Sequence, residues 1–323
     1  MKELKLFRSL PDPVSAGVLD LLERSGLRME ERPDECAVVL EEGRIIATGS
    51  RRGGVLQYIA VDSAFEGEGL CESIVSALTE SAFSQGIFRL FLFTKPSAAG
   101  QFISQGFHVL AETGSAALLE NSASAFPEWL ASLPRGAGGL TGAIVANLNP
   151  LTRGHRALIR RAASECDTLH LFVLSEDRSL FSAEERLEMA RRVTAECGNV
   201  LVHPGGRYII SAATFPAYFI KDTSRIPTVQ AELDAQLFAA RIAPALGITR
   251  RFVGEEPFDA VTAAYNEALS GVLPRHGIEL VVQPRLENIS ASKVRALLAE
   301  GKTDEALSLL PEECHEIARR HAG

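Results

Sequence analysis

Ala143-Ile-Val-Ala-Asn-Leu-Asn-Pro-Leu-Thr-Arg-Gly-His155 is the stretch on which the fold turns. Its opening residues form an apolar run of the length of a buried strand, and Pro150 halts it, having no N–H to give to a ladder. From Gly154 to Ala163 the spacing is helical. A strand that becomes a helix over so few residues leaves free N–H groups and the positive end of a helix dipole at the turn, a natural seat for phosphate. Gly154 lets the backbone approach a ligand closely. Thr152 can donate its hydroxyl to a phosphoryl oxygen, and His155, in the first helical turn, can stabilise charge on a bridging phosphate oxygen. Taken alone, Thr152 as a plain N-cap and His155 as a surface residue read better, because four residues recur by chance.

Strand and helix patterns alternate downstream of this loop. Leu169–Leu174, Val200–His203, Arg251–Gly254 and Ile278–Val282 are strand-like. Between them lie a capped helix from Ser182 to Val193, with Glu185 completing a capping box, and helical stretches at Glu232–Ala245 and Val261–Leu273. Ser292–Ala299 and Asp304–Leu310 are helical too. Short apolar strands bounded by amphipathic helices predict a doubly wound parallel sheet, with ligands outside the carboxyl ends of its strands. A second strand-to-helix junction stands in Ile289-Ser-Ala-Ser-Lys-Val-Arg295, where Ser290 and Ser292 can cap the helix and Arg295 shares the face of Ser292.

Upstream, the small and polar Asn121–Ala125 and the breaker-rich Leu133–Gly139 mark a seam, with a short helix at Phe126–Leu133 between them. It divides the chain into residues 1–133 and 140–323. The first part is α+β in pattern: a hairpin from Ala37 to Gly49 turning at Glu41-Glu-Gly43, a strand at Val55–Val61, a long helix at Leu70–Ser84 and a strand at Phe88–Phe93.

With 46% hydrophobic and 23% charged residues and a formal net charge of -8, the chain has the make-up of a packed protein whose surface disfavours nucleic acid. Five scattered cysteines without C-x-x-C or zinc spacing read as reduced thiols. The N-terminus carries no signal-peptide core and no apolar run is long enough for a bilayer, so the expectation is a cytoplasmic protein with no membrane partner.

The pairing of Thr152-Arg-Gly-His155 with Ile289-Ser-Ala-Ser-Lys-Val-Arg295 resembles the nucleotidyltransferase superfamily, whose members attack the α-phosphate of a nucleoside triphosphate. With Tyr208–Asp222, Ala231-Glu-Leu-Asp, Ile242–Gly247, Arg251-Phe-Val-Gly-Glu-Glu-Pro-Phe258 and Val261–Asn266, nearly the whole chain resembles the citrate lyase ligases. That resemblance implies a Rossmann-like domain at 140–323 and an AMP-forming acid–thiol ligase that joins ATP and acetate through acetyl-adenylate. The acetyl group would pass to the thiol of the CoA-like prosthetic group on the acyl-carrier subunit of citrate lyase. It implies nucleotide binding by Asn147, Asn149, Pro150 and Gly154, with Thr152, His155, Ser290, Ser292 and Arg295 on the triphosphate and Gly254 and Glu255 near the adenosine. Thr152, His155 and Lys221 would be catalytic, Lys221 as a cation on phosphate or acetate. Mg²⁺ is expected with the pyrophosphate leaving group, its ligands unassigned.

Val61–Leu70 resembles the acyl-CoA loop of the GNAT acetyltransferases, Gly67 and Gly69 matching its glycines, and Phe102–Phe107 a later element of that fold. Ala64 stands where the pattern has Gln or Arg, and Glu66 and Glu68 bring negative charge. The expectation is a GNAT-like α+β domain that docks the pantetheine-type arm. The competing reading is an adenylyltransferase for a phosphopantetheine or mononucleotide acceptor; a non-catalytic sensor of ATP or acyl-CoA stands further off.

Overall fold

The structure, a computed structural model, describes residues 1–175, 180–210, 215–255, 260–284, 286 and 289–321. The chain forms two compact units, Met1–Phe126 with Phe215–Val229, and Pro127–Thr214 with Gln230–Gly323. A run from the second half of the sequence thus packs with the first unit, which the composition of the seam does not announce. Within the resembling segments named above, 211–214 and 256–258 lie outside the described residues.

The first unit holds a seven-stranded sheet in the order β1-β2-β3-β4-β5-β7-β6. Its strands are β1 (Lys2–Phe7), β2 (Glu35–Glu41), β3 (Arg44–Arg52), β4 (Val55–Val61), β5 (Phe91–Thr94), β6 (His108–Glu112) and β7 (Ala117–Glu120). Helices α1 (Asp12–Arg24), α2 (Leu70–Ser84) and α3 (Pro96–Ile103) pack with it, and α4 (Ala125–Ser132) crosses the division. The expected hairpin is present, with Glu42 and Gly43 both at positive φ, the conformation a two-residue turn between right-twisted strands requires. Helix α2 lies directly on β3, where a Cβ on Gly49 would come 2.4 Å from Ile74 Cγ2. Elements β1, α1, β6 and β7 lie outside the expected ones, and β5 is shorter than the strand expected at Phe88–Phe93. Strand β1 is an exposed edge carrying Lys2, Glu3 and Lys5, and β5 begins only at Phe91, with Phe88 exposed ahead of it.

All neighbours in this sheet are antiparallel except β4 and β5, which run parallel and pair at only Val55↔Phe91 and Leu56↔Leu92 before parting. Residue Tyr58, at φ +57°, marks where β4 turns away. The Tyr218 hydroxyl then donates to the Phe93 carbonyl at 2.8 Å, taking the place of a strand partner, while its ring meets Tyr58 edge-on at 4.9 Å. Burial pushes the Tyr218 phenol far above its usual range.

The second unit is built on a five-stranded parallel sheet in the order β10-β9-β8-β11-β12. The strands are β8 (Thr141–Ala146), β9 (Thr168–Val173), β10 (Val200–Pro204), β11 (Ile248–Gly254) and β12 (Glu279–Gln283). They match the five predicted strands, although β8 ends before Asn147. The chain starts at the central β8, moves outward to β10, then returns to β11 on the other side. The carboxyl ends of β8 and β11 therefore flank the point where the winding reverses, the place where such sheets bind ligands.

Helices α5 (Arg153–Ser164), α6 (Ala183–Thr194), α10 (Ala291–Ala299), α11 (Thr303–Ser308) and α12 (His315–Arg319) share a core with one face of this sheet. Leu158, Ile159, Met189, Phe252 and Val294 are buried there, each contributing about 1.5–3 kcal/mol of transfer free energy. The other helices of this part are α7 (Ile226–Leu237), α8 (Ala243–Leu246) and α9 (Ala260–Val272). The helix expected over Glu232–Ala245 begins earlier, at Ile226, and passes through a π turn at Phe238–Ile242 before Pro244. Proline lacks the N–H for a regular turn, and the wider turn absorbs that loss. Among the described residues no helix is long and apolar enough to cross a membrane.

Candidate active site at the carboxyl ends of the parallel sheet

The chain leaves β8 at Asn147, passes Leu148 at φ +55° and the cis Asn149–Pro150 peptide, and enters α5 with Thr152 as N-cap. The Thr152 hydroxyl accepts from the His155 N–H at 3.4 Å, and the Thr152 N–H donates to His155 Nδ1 at 3.0 Å. This is a capping box in which histidine stands where glutamate is usual. Since Nδ1 accepts, the ring proton sits on Nε2, and the imidazole is fixed in tautomer and direction. The plain N-cap and the oriented histidine are thus one arrangement.

The helix start is less open than the sequence suggests. The Arg153 N–H donates to the Leu309 carbonyl at 3.0 Å and the His155 N–H is taken by Thr152; the Gly154 N–H has no partner among the described residues. A Cβ on Gly154 would sit 3.5 Å from Thr152 Oγ1 and 3.9 Å from Ile289 Cγ2, ordinary contact distances. The fold itself therefore does not demand glycine there.

Arg295 joins the two motifs. Its Nη1 donates to the Asn149 carbonyl at 2.6 Å and its Nη2 to Ser292 Oγ at 3.2 Å. Ser290 is the N-cap of α10, its hydroxyl accepting from the Lys293 N–H at 3.1 Å, whereas Ser292 stands exposed in the first turn. Pro150 is buried beside Asn149. On the far side of the winding reversal, Gly254 ends β11 with open space where a Cβ would be, and the exposed Glu255 donates its N–H to the Gln283 carbonyl at 2.8 Å.

A residue that sequence reasoning passed over lies beneath the loop. Arg186, in the first turns of α6, is wholly buried. Its Nη1 donates to the Asn147 carbonyl and side-chain oxygen and to the Leu174 carbonyl; its Nε donates to the carbonyls of Phe181 and Ser182. The Ser182 capping box was legible, but nothing in the helical pattern marked Arg186 as buried.

Two further buried polar groups belong to this unit. His170 Nδ1 and His203 Nε2 lie 2.8 Å apart on neighbouring strands, and burial holds both rings down to about 4. The Tyr265 hydroxyl donates to Asp234, whose carboxyl burial pushes up, and Arg251 lies over the Phe238 ring. No group of three metal-ligating side chains occurs among the described residues.

Three expected residues lie in the first unit. Lys221 is exposed there, its Nζ 3.6 Å from where a Gly26 Cβ would be. Gly67 and Gly69 have φ of +80° and +74° with open space at their Cβ positions, and Gly69 caps α2 without a side-chain bond. Glu66 and Glu68 are exposed beside them, Glu68 paired with Lys2. Burial pushes the Cys71 thiol at the start of α2 up, away from the reactive thiolate.

The citrate lyase ligase C-terminal domain family matches residues 141–317. A [citrate [pro-3S]-lyase] ligase of Klebsiella pneumoniae is 38% identical over 320 residues, which cover 95% of this chain and 94% of that protein. A phosphopantetheine adenylyltransferase of Clostridium botulinum matches at 45% over 58 residues, only 17% of this chain and 35% of its own length. An acyl-CoA N-acyltransferase structure from Pseudomonas aeruginosa aligns over 38% of this chain and 100% of its own, with a TM-score of 0.33 and 13% identity. The domain match and the near-full-length relative together make the chain a member of the citrate lyase ligase family.

Proposed function

We propose that the protein is a [citrate (pro-3S)-lyase] ligase, an AMP-forming enzyme that uses ATP and acetate to acetylate the prosthetic-group thiol on the acyl-carrier subunit of citrate lyase. The observation that carries this reading is the Arg295–Asn149 bond, which brings both motifs to one crevice at the winding reversal. In the first step an acetate oxygen bonds to the α-phosphorus of ATP, the bridge to the β-phosphate breaks, and pyrophosphate leaves. Acetate is already ionised at neutral pH, so no strong base is needed and the task is positioning and charge neutralisation. His155 Nε2–H and the Thr152 hydroxyl would hold the α- and bridging oxygens. Asn147, Asn149, Pro150, Gly154, Ser290, Ser292 and Arg295 would seat the triphosphate, with Gly254 and Glu255 beside adenosine. Lys221 enters as a cation for phosphate or acetate on its charge alone.

In the second step the carrier thiol bonds to the acetyl carbon, the carbon–oxygen bond to phosphate breaks, AMP leaves and the thiol proton passes to solvent. The donors at the loop are amides, hydroxyls, imidazole and guanidinium, not a carboxylate cage. Mg²⁺ would therefore arrive on the triphosphate with most of its waters, as it commonly does. Gly67 and Gly69 are the proposed seat of the pantetheine-type arm, and the cytoplasm is the compartment such substrates imply. An adenylyltransferase would instead leave the nucleotide in its product. Acetate-dependent exchange of labelled pyrophosphate into ATP, without citrate lyase, tests the first step; exchange indifferent to acetate would refute it.

A further inference from the structure

We propose that Arg186 sets the polarity of the nucleotide loop, making it a surface of donors by taking up its acceptors. The carboxyl ends of parallel strands leave carbonyl oxygens facing the crevice, and these repel a polyphosphate. Arg186 gathers the oxygens of Asn147, Leu174, Phe181 and Ser182 from the ends of β8 and β9 and the start of α6. It also fixes a carboxamide. Asn147 Oδ1 accepts from Arg186 Nη1, and Asn149 Oδ1 accepts from the Phe181 N–H at 3.2 Å. With both oxygens engaged, each amide is oriented with Nδ2 as its other end. Neither Nδ2 has a partner among the described residues, so both amides keep a donor to offer on the loop that runs from β8 into Thr152 and His155.

Arg186 is thus a positioning residue, acting on the triphosphate through Asn147 and the loop carbonyls, and this rests on the nucleotide reading above. Asn147→Asp separates it from a structural role. A carboxylate there would pair with Arg186, so thermal unfolding of the full chain should occur at an equal or higher temperature. The same change puts an acceptor where the triphosphate needs a donor, so the Kd for Mg·ATP by calorimetry should rise at least tenfold. Arg186→Lys keeps the charge but cannot serve five acceptors, and should raise that Kd by a smaller factor. Unchanged ATP affinity in Asn147→Asp, or a marked fall in its unfolding temperature, would overturn the proposal. If the unaltered protein bound no ATP, the nucleotide reading would fall, while the unfolding temperature of Asn147→Asp would still decide whether Arg186 grips Asn147.

Discussion

The loops at Asp62–Gly69 and Asn147–Thr152 share a plan: each follows a strand, turns with backbone at positive φ and opens a helix. In the first, two glycines make the turn, Gly69 caps α2 without a side chain, and the flanking side chains are Glu66 and Glu68. In the second, Leu148 makes the turn, Thr152 and His155 cap each other, and Arg186 and Arg295 hold the loop from two sides. A helix start alone is a weak anion seat. On the proposed reading, orienting residues and nearby cations turn it into a site for a triphosphate.

The largest effect that would sharpen this contrast is His155→Ala. Loss of a donor aimed at developing charge should lower acetate-dependent pyrophosphate release about 10²–10³-fold. The lost cap bond should cost only about 1 kcal/mol in unfolding experiments. A fall in rate no larger than the loss of fold would equate the two loops.

Acid should separate the units. His170 and His203, held down to about 4, resist protonation in the folded chain but not in the unfolded one. Stability of the second unit is therefore whole above about pH 6.5 and falls as pH drops toward 4, by an amount on the order of 3 kcal/mol for each ring. In the first unit the bond from Arg24, with Arg44 nearby, holds Asp62 below the usual carboxylate range. Its contribution is whole above the ordinary carboxylate range and is lost only as pH falls from there through that lower value. Trp129, the chain's one tryptophan, packs tilted against Tyr208 in the second unit, ring centroids 4.8 Å apart, so its fluorescence reports that unit. A Trp129 unfolding transition that ignores pH between 6.5 and 4.5 would contradict the account.

Arg295→Met should come next, raising the KM for ATP about 30-fold through the loss of about 2 kcal/mol of charge-assisted bonding. Gly67→Ala or Gly69→Ala should cost about 1–2 kcal/mol of stability, since both glycines sit in the left-handed region, with the affinity for ATP unchanged. Gly154→Ala inverts that outcome. Its backbone is helical and a Cβ fits, so stability should hold or rise slightly while the KM for ATP increases several-fold. Unaltered kinetics in Gly154→Ala would mean that no ligand approaches the α5 start.

Much of the second unit was legible because its strands are continuous apolar runs and its helices carry caps, signals confined to a few neighbouring residues. The Thr152 and Ser290 junctions were legible for the same reason. Arg186 was not, because a helical arginine is usually solvated and only the return of β9 and the α6 start around Asn147 buries it. Nor was the placement of Phe215–Val229 with the first unit, since the gap between β4 and β5 that Tyr218 fills depends on pairings far apart in sequence. Strand β1 escaped because an edge strand buries little and need not alternate cleanly.

The most direct test of the central claim is to incubate the protein with ATP, Mg²⁺, acetate and deacetylated citrate lyase, following AMP and the acetyl thioester together. The account predicts AMP formed in step with acetylation of the carrier thiol, both abolished when acetate is withheld. Thioester formation without AMP, or AMP retained in a dinucleotide-like product, would contradict it.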